Sequence, residues 1–170
     1  VGEKLKIAGI IEESIVDGPG IRFVIFAQGC VHSCIGCHNP QTHSFSKGYY
    51  MDVDEILDMV MEDPLLDGIT ISGGEPFHQG HVCALLAKKV KDIGLNVITY
   101  TGYTFEEILN EIDINIGWRE LLSVTDILID GKFEIDKKNL LLRFRGSENQ
   151  RIIDVKKSLD VKKTIEIDII

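Results

Sequence analysis

Three of the four cysteines in this chain fall in one short run, "GCVHSCIGCHNP" (residues 29–40), as Cys30, Cys34 and Cys37. Thiolates are soft ligands, suited to zinc and to iron–sulfur clusters. A structural zinc site ordinarily draws four protein ligands from two spaced pairs. This triplet, C-x3-C-x2-C, supplies three. The remaining cysteine, Cys83, lies beside Val82 in a stretch of helical periodicity, where it reads as a small core residue or, alternatively, as a distant ligand. His32, His38 or His43 would complete a zinc site, although a histidine beside such a loop also serves as a hydrogen-bond partner of the ligands. The other solution is a [4Fe–4S] cluster on three thiolates, with one iron left open to a small molecule. Gly29 and Gly36 allow the chain to wrap tightly around it.

Further stretches carry chemistry. "SGGEP" (72–76) offers two glycines, which remove side chains where a ligand must lie against a strand end. It also offers Glu75, a carboxylate able to accept bonds from an ammonium group. A plain strand-to-helix turn ahead of Pro76 is the alternative. "TYTGY" and "DGKF" put Thr101, Asp130 and Lys132 at neighbouring strand ends, where an Asp-Gly pair is also a common turn. "DGPGIRFVIF" (17–26) reads as a turn leading into a strand with an inward-facing cation at Arg22. In "FRGSENQRIIDV" (144–155), Ser147 reads as a helix N-cap. Arg143, Arg145 and Arg151 form a basic cluster that pairs with a carboxylate, an acidic partner, or the chain's own excess of Asp and Glu.

The elements that must position these groups alternate between strand and helix. Residues 21–29 are apolar, β-branched and aromatic, the pattern of a buried strand. A helix follows at 52–63, with Val53, Ile56, Leu57 and Val60 on one face, Asp52 and Glu55 as a capping pair and Pro64 beyond the end. Residues 68–74 form a short strand that stops at the glycine pair. The next helix carries Val82, Leu85, Leu86, Val90 and Ile93 and ends at Gly94. Strands at 95–102, 126–131 and 139–144 are expected, with a helix at 104–112 opened by a Thr-x-x-Glu box. Residues 147–159 read as helical with Ile152, Val155 and Leu159 inward, and 164–170 as a closing or edge strand. Short apolar strands separated by helices predict an α/β fold, a mostly parallel sheet with outer helices and right-handed crossovers, in one domain spanning 1–170. Sites in such folds gather at the C-terminal ends of strands, where the cysteine loop, SGGEP, TYTGY and DGKF all fall.

The triplet after the first predicted strand, joined to GGE after the second, resembles the radical S-adenosylmethionine (SAM) superfamily. The resemblance implies a partial, open βα barrel of about five or six strands. It implies Cys30, Cys34 and Cys37 as the catalytic cluster ligands, one [4Fe–4S] cluster and SAM chelated at the open iron. It assigns Gly73, Gly74 and Glu75 to the methionyl amino group, and Gly36, Cys37 and His38 to the adenine. Thr101 falls at the same rim, Asp130 to the ribose or the methionyl amine, and Lys132 to a carboxylate. The Asp-Gly-Pro-Gly-Ile-Arg run is similar to the activating enzymes of glycyl radical enzymes. The Arg-Gly-Ser-x-Asn-Gln-Arg ending is similar to the activases of anaerobic (class III) ribonucleotide reductases. The activity implied is reductive cleavage of SAM and abstraction of hydrogen from a glycine of the reductase. The partners implied are that reductase and a flavodoxin- or ferredoxin-type electron donor. The alternatives are a pyruvate formate-lyase-type activase, a 7-carboxy-7-deazaguanine synthase-like enzyme, and a zinc-binding interaction module.

The whole chain bounds these readings. Its 170 residues are 44% hydrophobic and 26% charged, an ordinary globular balance. The net charge of −9 argues against a nucleic-acid backbone as partner. No apolar run approaches the roughly 20 residues of a membrane span, and the Lys4- and Lys6-bearing start has no secretory pattern. Clustered cysteines in such a chain point to a reducing, cytoplasmic setting.

Overall fold

A computed structural model describes residues 2–168. Twelve main elements follow in order: β1 (Lys4–Ser14), β2 (Arg22–Ala27), β3 (Tyr49–Asp52), α1 (Val53–Met61), β4 (Gly68–Gly73), α2 (Gly80–Asp92), β5 (Asn96–Tyr100), α3 (Phe105–Glu111), α4 (Ile116–Val124), β6 (Ile127–Asp130), β7 (Arg151–Asp154) and α5 (Val155–Val161). All seven strands join one sheet, in the order β3-β1-β2-β4-β5-β6-β7. The centre, β2-β4-β5-β6, is parallel. Both margins are antiparallel.

Side chains on a strand alternate between faces, and here the two faces differ in kind. Phe23 and Ile25, Ile69 and Ile71, Val97, Leu128 and Ile153 all join the main core with Ile56, Val60, Leu86, Val90 and Ile108 of the helices. The intervening residues Ile98, Ile129 and Ile152 form only a small second cluster with Tyr100 and Phe144. On β4 the intervening residues are the buried hydroxyls Thr70 and Ser72. Helices therefore cover one face, and the other keeps too little apolar surface to hold a second layer.

Arg22 stands among these buried residues with no exposed surface. Its guanidinium donates to Thr70 Oγ1 at 2.8 Å, Ile69 O at 2.6 Å and Pro19 O at 3.1 Å. Thr70 in turn donates to Asp17 O at 2.8 Å. The inward cation expected at the end of Asp-Gly-Pro-Gly thus ties that turn to β4. Burial pulls the Arg22 guanidinium down to about 10, with Asp67 opposing.

Several expected elements differ. Strands β1 and β3 were not foreseen. In β1 the register slips between Ile7 and Gly9, which breaks the alternation that marks a strand. In β3 four residues, YYMD, are too few to show a period, and both tyrosines are exposed. The sheet consequently has seven strands rather than five or six. Residues 139–144 are a loop, not a strand, and its Leu140 and Leu141 are 83% and 91% exposed. Residues 147–159 are not one helix: β7 pairs antiparallel to β6, and α5 follows. Ile152 and Ile153 face opposite sides of the sheet, an adjacent apolar pair that helical periodicity also accommodates. Val155 is buried, but Leu159 is not. In the last stretch only a single bridge, Ile153 to Glu166, forms, and residues 169–170 lie outside the described residues. Helix α4, capped by Asn115 accepting from Trp118 N at 3.2 Å, was also missed. Asp52 stands at the N-cap of α1 but makes no side-chain cap bond, whereas Thr104 caps α3 as expected.

Candidate functional site

The cysteine loop leaves the end of β2 and is clasped at its base. Gly29 N donates to Thr42 O at 2.6 Å and Cys30 N to His43 O at 3.0 Å. The Gln28 amide donates to Gln41 O at 3.2 Å and Ser44 O at 2.5 Å. Within the clasp the chain turns sharply, with Gly29 at φ 107° and Gly36 at φ 75°. Cys30 is buried and Cys34 and Cys37 are half-buried, all three as free thiols. Burial pushes the Cys30 thiol up, against backbone hydrogen bonds from His32 and Ser33. Asn39 N donates to Cys37 Sγ at 3.4 Å, the kind of N–H to sulfur bond that tunes thiolate ligands. Among the described residues, no three His, Cys, Asp or Glu side chains converge at single-ion distance. An iron–sulfur cluster asks for less convergence, because each thiolate takes a separate iron. The soft donor set, the backbone bond to sulfur and the cavity beside it fit a [4Fe–4S] group.

That cavity, about 580 Å³, opens on the sheet face that lacks helices and is lined by Cys30, Cys34 and Cys37. Its size is that of a small-molecule site. Gly73 and Gly74 also line it. Their glycine identity has a further cause, which the sequence reading did not supply. A Cβ on Gly73, at φ 93°, would stand 2.6 Å from Ala27 N. One on Gly74 would stand 2.4 Å from Gly29 O and 2.9 Å from Thr42 O. The end of β4 is thus pressed against the clasp, joined by Gly74 N to Ala27 O and Glu75 N to Gly29 O, both 2.8 Å. Gly74→Ala should cost about 1–3 kcal/mol as overpacking against unyielding backbone, and lower iron loading with it. Gly94→Ala, with nothing within 4 Å of the added carbon, should cost only the strain of its φ, about 1 kcal/mol, and leave loading unchanged. Urea unfolding and an iron assay check both.

The carboxylates expected at the ligand lie elsewhere. Glu75 is fully buried and does not line the cavity. It accepts from His32 Nε2 at 2.7 Å, Gly102 N at 2.8 Å, Phe77 N at 3.1 Å and the Thr101 hydroxyl at 2.9 Å. Thr101 reaches the cavity wall, but its hydroxyl is spent on that bond. Asp130, 1% exposed, faces away from the cavity. It accepts from Phe105 N at 2.8 Å and from Arg151 Nη2 at 2.6 Å, so in this structure its carboxylate serves the protein's own donors. A strand-end aspartate looks the same in sequence whichever way it turns. Lys132 is exposed and lines the cavity. Gly36 lies outside it and is exposed, with Ile135 beside it, whose Cδ1 would be 2.4 Å from a Cβ there.

A lobe formed by residues 131–150 closes one side. The Gln150 side chain holds it, accepting from Gly146 N at 2.8 Å and Ser147 N at 3.1 Å and donating to Gly131 O at 3.0 Å. Tyr100 donates to Phe144 O at 2.7 Å from the sheet. Ser147 is no helix cap; its buried hydroxyl accepts from Glu134 N at 3.2 Å. Phe133 packs on His38 with ring centroids 5.1 Å apart, and both line the cavity. Arg143 and Arg145 line it too, and Arg145 Nε is buried without a hydrogen-bond partner. The basic cluster therefore splits, two arginines to the cavity and Arg151 to Asp130. Sequence reasoning missed Ser72, Phe133 and Phe144 at the wall; the alternation along β4 was the one signal for Ser72. Cys83 lies fully buried in the main core, as a packing residue.

A family model described as "4Fe-4S single cluster domain" matches residues 16–153. The chain is 38% identical over 148 residues to a protein of Pasteurella multocida (strain Pm70), covering 81% of this chain and 90% of that one. It is 34% identical over 151 residues to one of Escherichia coli (strain K12), covering 80% and 90%. A protein of Enterobacteria phage T4 is 32% identical over 145 residues, covering 81% and 86%. All three are named anaerobic ribonucleoside-triphosphate reductase-activating protein.

Proposed function

The chain belongs to the family of anaerobic ribonucleoside-triphosphate reductase-activating proteins and carries a 4Fe-4S single cluster domain, and from that premise we propose that it is a radical SAM activase of such a reductase. The observation that carries this reading is the cavity whose wall includes all three loop cysteines. A [4Fe–4S] cluster held there would supply one electron to SAM, whose cleavage to methionine and a 5′-deoxyadenosyl radical would let that radical take hydrogen from a glycine of the reductase, giving 5′-deoxyadenosine and a glycyl radical.

The chain's own groups bind and orient. Cys30, Cys34 and Cys37 hold the cluster. Lys132 and Arg145, cations at the cavity wall and the latter with an unbonded N–H, suit the carboxylate of SAM. The His38–Phe133 pair offers ring surface to the adenine. The backbones of Gly73 and Gly74, at the cavity wall, would meet the methionyl end. A helix-free face suits a partial, open βα barrel in a single domain, through whose open side a glycine loop of the reductase would reach the cavity. A flavodoxin- or ferredoxin-type protein supplies the electron, in the cytoplasm, where free thiols persist. Among the described residues no helix is long and apolar enough to cross a membrane.

The test is anaerobic. Protein reconstituted with iron and sulfide should hold about four irons. Its reduced EPR signal should change on adding SAM, and with the reductase present a glycyl radical should appear. Zinc in place of iron, or a cluster indifferent to SAM, would overturn the proposal.

A further inference from the structure

We propose that His32 and Glu75 form a buried pin that sets the shape of the cysteine loop before any cluster is present, so that Glu75 is a positioning residue and not a contact of SAM. The second half of this inference rests on the functional reading above; the first half concerns the bare protein.

His32 lies between the first and second cluster cysteines. Its Nε2 donates to Glu75 Oε1 at 2.7 Å, and the two side chains are 4% and 0% exposed. The imidazole is seated in a slot. A Cβ on Gly102 would stand 2.4 Å from His32 Cδ2, so only glycine leaves room there. On another side the ring of Tyr103 meets it edge-on, with centroids 4.6 Å apart. Small rotations of the ring therefore meet either backbone or an aromatic wall.

Glu75 is the hub beneath. Four groups reach its two oxygens: the amides Phe77 N and Gly102 N, the Thr101 hydroxyl and His32 Nε2. Its acceptor capacity is taken up by the protein, and an incoming ammonium group would have to displace a bond that is already buried. Through these bonds one side chain joins the cysteine loop to the ends of two strands, β4 and β5. The residue after His32 shows why the loop needs it. Ser33 has φ 47°, a left-handed conformation that costs a non-glycine residue about 1–2 kcal/mol and persists only where neighbours impose it. With His32 held by Glu75, the turn that separates the first two thiols is imposed by the pin.

His32→Ala, Glu75→Gln and the double variant test the pin without any metal. In the apo protein, the amides of Gly29 and Cys30 are bonded to Thr42 O and His43 O and report the clasp directly. Each single variant should speed their hydrogen exchange at least tenfold, with amides of α2 unchanged, and the double variant should exchange no faster than the singles. After reconstitution, each should retain several-fold less iron than the parent. Unchanged exchange at Gly29 and Cys30 in His32→Ala overturns the pin. Should Glu75→Gln lose cooperative unfolding, His32→Ala alone decides it. The role of Glu75 toward SAM is read separately. Equal weakening of SAM binding per loaded cluster in His32→Ala and Glu75→Gln supports positioning; tenfold weakening confined to Glu75→Gln makes it a ligand contact. Parent protein that takes up no iron overturns the functional reading, while the exchange data still decide the pin.

Discussion

Replacing Cys30, Cys34 or Cys37 by alanine, one at a time, should abolish SAM cleavage and strip most of the iron, whereas Cys83→Ala should retain both. A ligand takes a direct bond with it, so the loss should exceed the roughly 10–100-fold seen when only an outer hydrogen-bond partner of a ligand is removed. The geometry separates the two classes of cysteine. The three loop thiols share a cavity wall. Cys83 is sealed in the main core, and burial pushes its thiol up to about 12, so it remains protonated at neutral pH. Its replacement leaves a small void, worth about 1 kcal/mol, with iron content unchanged. Iron and sulfide assays on the four variants, with 5′-deoxyadenosine as the product measured, decide the matter. Iron retained in all three loop variants would remove the cluster from this loop.

The second large effect lies away from the cavity. Arg151→Ala should destabilise the protein by about 3 kcal/mol, at the low end of the range for breaking a buried pair because Arg151 is 26% exposed. Its guanidinium bridges two carboxylates, reaching Asp130 at 2.6 Å and 3.1 Å and Glu106 at 2.6 Å and 2.9 Å. Removing it leaves Asp130, 1% exposed, with only the Phe105 amide. The link joins β6, β7 and α3, so its loss loosens the edge from which the lobe springs. Glu106 gives the effect a pH signature. Hydrogen bonding from Arg151 holds its carboxyl down to about 2, against a usual 4.5. A lowered acid contributes stability that is whole above about pH 4.5, shrinks as pH falls, and is gone below about 2. Because Glu106 is 53% exposed, solvent screening keeps this share under about 1 kcal/mol. The gap between parent and Arg151→Ala should therefore narrow modestly from pH 7 to pH 3 in urea titrations. A variant as stable as the parent at pH 7 would show that Asp130 is compensated by other means.

The parallel centre of the sheet was legible because its strands are apolar runs that end at glycines. The chemical loop was legible because cysteine spacing is local. What escaped is what spacing does not encode. The direction of a strand-end side chain is one case: Glu75 and Asp130 stand where sequence puts them, yet both turn inward to serve the protein's own donors. Leu140 and Leu141 are another, since an apolar run reads as burial whether it fills a core or stands out in solvent. The tie from His32 to Glu75 bridges two loops with no sequence pattern between them. Only packing around Gly102 makes it visible.

The order in which the ribosome delivers these parts has a consequence of its own. The clasp, the end of β4 and the His32–Glu75 contact all lie before α3 begins at Phe105. The residues that later cover the loop, Phe133 against His38 and Ile135 against Gly36, come well after it. At bacterial elongation rates of about 5–20 residues per second, the roof residues are synthesised roughly a few seconds after the last residues of the cradle.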